Sequence, residues 1–239
     1  MLLAEPQNIK EEEILDNVAS RLRVFGDRKR TNLLREAEQR TILLLVKKIP
    51  AYISSDFLTF LGGVGSAIVF LAFLTASYIG SIWLLLGIAG LAINWLGDSL
   101  DGRLAFYRNK SRKWYGFALD IIMDWLSTVS IGMGYYIYAT EPYKWLGFLF
   151  VTLYGWAILI SQLRYKITDR YTIDSGAVGP TELRVIIALI LIAEVFYSRI
   201  IQYPAIVISL MLFILNLKDT SNLLKAGDKR DTEEKGLIH

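Results

Sequence analysis

The sequence contains no cysteine, and its one histidine is the terminal His239. Disulfides, thiolate nucleophiles and cysteine-bound zinc or iron are thereby excluded. Histidine-based triads and most transition-metal sites go with them, leaving Asp, Glu, Lys, Tyr, Ser and Thr to carry any catalysis. An apolar amino-terminal run is also missing: the acidic cluster Glu11 to Glu13 interrupts the stretch where a signal peptide needs one, so the mature chain is expected to start at Met1. No internal repeat suggests inverted transporter halves.

Apolar residues are what the chain has in excess. They make up 54% of 239 residues, yet 21% are charged, so the charge must be segregated. It is concentrated in the first fifty or so residues, the last twenty and a few short connectors. Between them lie six apolar segments, roughly 57 to 77, 81 to 105, 116 to 138, 143 to 165, 181 to 198 and 200 to 217. Each is near the length of about 20 helical residues that crosses a bilayer. The expected fold is all-α, a polytopic membrane protein with six transmembrane helices. An amphipathic helical arm over 1–50 precedes a membrane domain over 51–218, and a polar tail over 219–239 follows it.

Within the arm, residues 8 to 48 read as helix, with Leu15, Val18 and Leu22 on one face. The part from Leu33 to Lys48 is more apolar and reads as an interfacial helix on lipid headgroups; a solvated arm or an oligomer contact is the alternative. Ser54, Ser55 and Asp56 offer cap groups for the first span. The net charge of +3 says little by itself, but its distribution sets orientation. In a six-span topology the arm, the connector with Arg103, Arg108, Lys110, Arg112 and Lys113, the connector with Arg164, Lys166 and Arg170, and the tail share one side. The opposite side has Lys144 and Arg199 and a belt of aromatic residues that includes Tyr135, Tyr138 and Trp145. Both termini are expected in the cytoplasm.

Acid at the junction of the second and third segments needs an explanation. In helices, Asp98, Asp101 and Ala105 fall at i, i+3 and i+7, and Gly116, Asp120 and Asp124 at i, i+4 and i+8. Each set forms one stripe, and the two stripes can face each other. Gly102, Ala105 and Gly116 let helices or a ligand come close. Four such carboxylates repel one another and lose hydration at a cost of several kcal/mol each, which a divalent cation relieves. Hard oxygen ligands suit magnesium, manganese or calcium, and a pair of such ions suits phosphate chemistry.

Written out, the stretch is Asp98-x2-Asp101-Gly102-x2-Ala105-Phe106-x9-Gly116-x3-Asp120-x3-Asp124. It resembles the signature of the CDP-alcohol phosphatidyltransferase family, and the resemblance extends to six spans with the motif across the second and third. It implies that a hydroxyl attacks the phosphorus of a CDP-activated donor and that CMP leaves. By the same resemblance Asp98, Asp101, Asp120 and Asp124 bind metal, Mg2+ or Mn2+ and two ions, with Asp124 also the catalytic base. Gly102, Ala105 and Gly116, with Arg108 and Arg112, are the implied nucleotide-binding residues. The family places arginine where this chain has Phe106. Either a neighbouring base, Arg103, Arg108 or Arg112, takes its place, or the activity is altered or lost.

The implied partners are a CDP-linked lipid or alcohol donor, a polar alcohol or diacylglycerol acceptor, the bilayer and a second copy of the chain in a homodimer; nucleic acid is not among them. Arg164, Lys166 and Arg184 form a candidate cationic pocket for a phosphorylated acceptor, with snorkelling to headgroups as the plain alternative. That favours CDP-diacylglycerol as donor over transfer from CDP-choline or CDP-ethanolamine. Pro180 and Glu182 are ordinary helix-start chemistry, Thr59 fits either a family position or a cap, and Glu194 reads as interfacial or paired. Three other readings remain. A prenyltransferase that holds a diphosphate through aspartates and magnesium fits Gly102 and Ala105 poorly. A cation transporter would carry acid along several spans. A silent relative retained for binding is consistent with Phe106.

Overall fold

Apolar runs broken by short polar connectors become a bundle of helices, and the computed structural model describes residues 34–168 and 180–236. In chain order these are α1 (Arg35–Lys48), α2 (Ser55–Tyr78), a 3-10 turn (Ser81–Trp83), α3 (Leu84–Tyr107), α4 (Lys113–Tyr138), α5 (Trp145–Thr168), α6 (Pro180–Phe196) and α7 (Gln202–Gly236). No strand occurs among the described residues. The start of α2 follows the expected cap: Ser54 Oγ accepts the Phe57 N–H at 3.1 Å, and Asp56 sits in the first turn beside the positive helix end.

α2 is the central helix and packs against both α3 and α4. Its approach to α3 is set by glycines. A Cβ on Gly65 would fall 2.6 Å from the Gly90 carbonyl oxygen, and one on Gly90 would fall 2.7 Å from that of Gly65, so the two backbones touch with no side chain between them. Val69 and Phe73 of α2 continue the contact into an apolar cluster with Leu84 and Leu91 of α3, Tyr135 of α4 and Leu191 of α6. α5 packs on α4 and on α7, and α6 packs on α3.

Five helices among the described residues are long and apolar enough to cross a membrane: Ser55–Tyr78, Ser81–Tyr107 counting the 3-10 turn, Lys113–Tyr138, Trp145–Thr168 and Gln202–Gly236. The chain therefore has the helices of an integral membrane protein. The segment expected to be the fifth of six spans forms α6, a helix of 17 residues. At a rise of 1.5 Å per residue that is about 25 Å, short of the roughly 30 Å hydrocarbon core. Glu194 accounts for its early end. The side chain is buried, and its carboxylate accepts from Tyr138 Oη, Arg199 N and Ile201 N, each at 2.8 Å. Those bonds hold the chain reversal at Arg199, whose φ of 72° lies in the left-handed region. Glu194 thus proves to be paired.

The two ends of the described chain differ from simple appendages. Ile42 and Val46 of α1 are buried and pack with Leu58, Leu100 and Leu104, so this apolar face lies on α2 and α3. The arm before residue 34 lies outside the described residues. The polar segment from residue 219 does not leave the bundle as a separate tail but continues α7 to Gly236. It is tied to the end of α5 twice: Arg164 pairs with Asp219 at 3.4 Å, and Arg230 Nη1 donates to the Lys166 and Ile167 carbonyls at 3.0 and 2.6 Å.

Replacing Glu194 by leucine would leave three donors without this acceptor, that of Ile201 buried and the other two partly exposed, a loss on the order of 1–3 kcal/mol. Glu194→Leu is expected to lower the thermal unfolding midpoint of the purified protein, followed by tryptophan fluorescence. An unchanged midpoint would contradict the role given to this carboxylate.

Candidate active site

The two acidic stripes do meet. Asp98 and Asp101 from α3 and Asp120 and Asp124 from α4 line one pocket, with Thr59, Gly62 and Gly63 of α2 along the side they share. All four aspartates are half-buried. The helical spacing supplies the stripes, and the packing of α2 against both helices turns them to a common space.

Each carboxylate of α3 has a protein partner. Asp98 Oδ2 accepts from Arg184 Nη2 of α6 at 2.7 Å. Asp101 Oδ2 accepts from Thr59 Oγ1 at 2.6 Å, and its Oδ1 accepts the Gly102 N–H. Thr59 therefore serves the acidic pocket, while the N-cap of α2 is Ser54. Behind Asp98 lies a buried amide. Asn94 Oδ1 accepts from Arg184 Nε at 2.8 Å, and its Nδ2 donates to Ser66 Oγ at 2.9 Å, to the Gly62 carbonyl at 3.1 Å and to Ser127 Oγ at 3.3 Å.

Four carboxylates and a hydroxyl on one pocket are the donors that a hard divalent cation requires, so the residues fit such an ion. As arranged, however, no three Asp, Glu or His side chains among the described residues are gathered closely enough to hold one. One oxygen each of Asp98 and Asp101 is instead bonded to a protein donor, Arg184 and Thr59.

Gly102 and Gly116 differ from the packing glycines. A Cβ on either would meet nothing within 4 Å, so no neighbouring helix demands a glycine there and the space is free for a ligand. Ala105 is half-buried, one turn from Asp101. The basic residues expected beside the nucleotide are engaged elsewhere. Arg108 Nη2 donates to the Pro50 and Ile49 carbonyls at 2.8 and 3.1 Å, and its Nη1 donates to that of Ile53. Arg112 Nη2 bridges both oxygens of Asp56, and its guanidinium lies 3.9 Å from the centre of the Tyr115 ring. The bond to Asp56 raises the Arg112 pKa above its ordinary value. Arg103 is buried in α3, whereas Phe106 is exposed.

The three bases expected to bind an acceptor phosphate have separate partners. Arg184 joins the aspartates, Arg164 pairs with Asp219 of α7, and Lys166 presents an exposed side chain on the last turn of α5. Asn94, Ser66 and Ser127 join the site from outside the aspartate pattern. A signal for Asn94 was present, because it is a polar residue inside an apolar span and one helical turn before Asp98.

Against this geometry, the family model for CDP-alcohol phosphatidyltransferase matches residues 52–215. The chain belongs to the CDP-alcohol phosphatidyltransferase family. The match begins in the connector before α2 and ends within α7, so it contains all four aspartates and both open glycines. A comparison with curated proteins found no match. CDP-alcohol phosphatidyltransferases are phosphotransferases of phospholipid head-group transfer and generally depend on a divalent metal.

Phe106 stands where the CDP-alcohol phosphatidyltransferase signature has arginine, and its exposure leaves room for a longer side chain. Phe106→Arg is expected to keep the unfolding midpoint and to tighten CMP binding severalfold in calorimetric titration. A loss of folded protein or of CMP affinity would show that the phenyl ring itself is required.

Proposed function

We propose that this protein is a phosphatidyltransferase of phospholipid synthesis, in which an acceptor hydroxyl attacks the phosphorus of a CDP-linked donor, CDP-diacylglycerol in the favoured reading, and CMP is released. The observation that carries the reading is the convergence of Asp98, Asp101, Asp120 and Asp124 on one pocket inside the region matched by the family. In this reading the four carboxylates hold magnesium or manganese. A bound cation supplies charge neutralisation for the donor diphosphate and for the departing CMP oxygens.

The chain's own residues account for the rest. Asp124 takes the proton from the acceptor hydroxyl as its oxygen bonds to phosphorus, and the phosphoanhydride bond to CMP breaks. Gly102 and Gly116, with nothing near their missing Cβ atoms, let the nucleotide approach the backbone, and Ala105 keeps the next turn small. Arg108 and Arg112 flank this region from the α3–α4 connector and reach a nucleotide phosphate only by exchanging their present partners. Arg164, Lys166 and Arg184 stand as the bases for a phosphorylated acceptor.

The membrane placement is part of the same proposal. α2 to α7 form six crossings, α6 being the shortest, and the basic residues of α1, the α3–α4 connector, the α5 end and the polar half of α7 mark the cytoplasmic side. The acidic pocket then faces the cytoplasm and the inner leaflet. One observation favours a second reading, a relative that binds nucleotide without turnover: Phe106 replaces the family arginine, and both neighbouring connector arginines are engaged in the fold.

Purified protein supplied with CDP-diacylglycerol and a panel of alcohols, or with CDP-alcohols and diacylglycerol, is expected to release CMP with one pair when magnesium or manganese is present. Chelation should stop release. Asp124→Asn should reduce it by on the order of a hundredfold or more while leaving CMP binding largely intact. Turnover retained in Asp124→Asn would remove its assignment as base. Silence of the folded protein across both panels would favour the binding relative.

A further inference from the structure

The reading of the four carboxylates as a cation site leaves one contact unexplained: a guanidinium from α6 is bonded to Asp98, one of the intended ligands. The Arg184 side chain is largely buried, and its two bonds run in different directions, Nη2 to Asp98 Oδ2 at 2.7 Å and Nε to Asn94 Oδ1 at 2.8 Å. Asn94 cannot present its other end. Its Nδ2, with two hydrogens to donate, faces the Gly62 carbonyl, Ser66 Oγ and Ser127 Oγ, so a flipped amide would set a donor against the Arg184 N–H and an oxygen against the Gly62 carbonyl. The Gly62 carbonyl of α2 thus fixes the amide of α3 in one orientation, and that amide holds the arginine of α6.

We propose that Asn94 is a positioning residue that holds Arg184 across Asp98 as an internal counter-cation, so that the Arg184–Asp98 pair and a divalent cation compete for the same carboxylate. The inference rests on the cation-site reading given above. Its physical basis is that acid in a half-buried pocket must be compensated whether or not an ion is bound. A fork bonded at two points meets that need without leaving the bundle. Two consequences follow. Loading a cation at Asp98 costs the Arg184 bond, which keeps the pocket from holding metal tightly on its own. Once displaced, the guanidinium keeps its charge beside the pocket, where an anionic substrate group can take it.

Binding of Mn2+ alone to the full-length protein in detergent, read from the electron paramagnetic resonance signal of free Mn2+, tests this without any turnover. Arg184→Gln is expected to bind Mn2+ about tenfold more tightly than the unaltered protein, the scale of one lost charge-assisted bond. Asn94→Leu retains the Arg184 charge and removes only its positioning bond, and is expected to gain several-fold. Arg184→Lys, which cannot span both partners, should gain likewise. Ser127→Ala removes one acceptor from Asn94 at little change in volume and should give a smaller gain if Asn94→Leu does not accumulate as folded protein. Asp98→Asn is the control and should weaken binding.

Wild-type affinity in Arg184→Gln and in the positioning variants alike, with weakened binding in Asp98→Asn, would overturn the competition and leave the cation site standing. A gain confined to Arg184→Gln would also overturn it, because it would show that only the general charge of Arg184 matters. Unchanged binding in Asp98→Asn would overturn the cation-site reading itself.

Discussion

Four carboxylates held half-buried among apolar helices cannot be left uncompensated, and most of the polar architecture of this protein answers that constraint. Thr59 reaches from α2 to Asp101, Arg184 reaches from α6 to Asp98, and Asn94 ties Arg184 to α2 and α4 through hydroxyls and a carbonyl. In water these contacts would be worth little. In a bundle whose outward surfaces are apolar, an unsatisfied charge costs far more, and each contact contributes to stability as well as placing the groups of the pocket.

The scaffold makes this arrangement possible by closeness in one place and space in another. At Gly65 and Gly90, and again where Gly97 meets Leu58 and Gly62, the backbones of α2 and α3 touch directly, and beside the second contact the Thr59 hydroxyl lies within hydrogen-bonding distance of Asp101. At Gly102 and Gly116 the absent side chain faces nothing, which leaves the region beside the carboxylates open. The same residue type therefore serves two opposite ends. The periphery is fastened by long basic side chains: Arg108 binds the carbonyls of the α1–α2 junction, Arg112 binds Asp56, and Arg230 binds the last carbonyls of α5.

Much of this could be read before the fold was known, because it depends on local period. The aspartate stripes, the cap groups offered by Ser54, Ser55 and Asp56, and the positions of the six apolar segments are all local features of the sequence. What escaped reading depends on contacts between distant segments. Arg184 and Asp98 are 86 residues apart, and nothing local separates a base bound for a substrate phosphate from one bound to an aspartate. Arg108 looked available to a nucleotide because its acceptors are backbone carbonyls, which carry no sequence signal. The polar end of α7 looked like a tail because its composition ignores the partners, Arg164 and the end of α5, that keep it helical against the bundle. α6 stops at Phe196 because Glu194 binds the following turn, a tertiary cause that hydropathy does not register.

The central claim is that the acidic stripes of α3 and α4 form one cation and diphosphate site. The most direct measurement is a crystal structure of the protein grown with manganese and CDP, with the metal located by its anomalous scattering. The account predicts manganese bounded by Asp98, Asp101, Asp120 and Asp124, with the Arg184 guanidinium turned away from Asp98 and the diphosphate beside Gly102 and Gly116. Manganese elsewhere, or an Arg184–Asp98 pair that persists beside a diphosphate bound without metal, would contradict it.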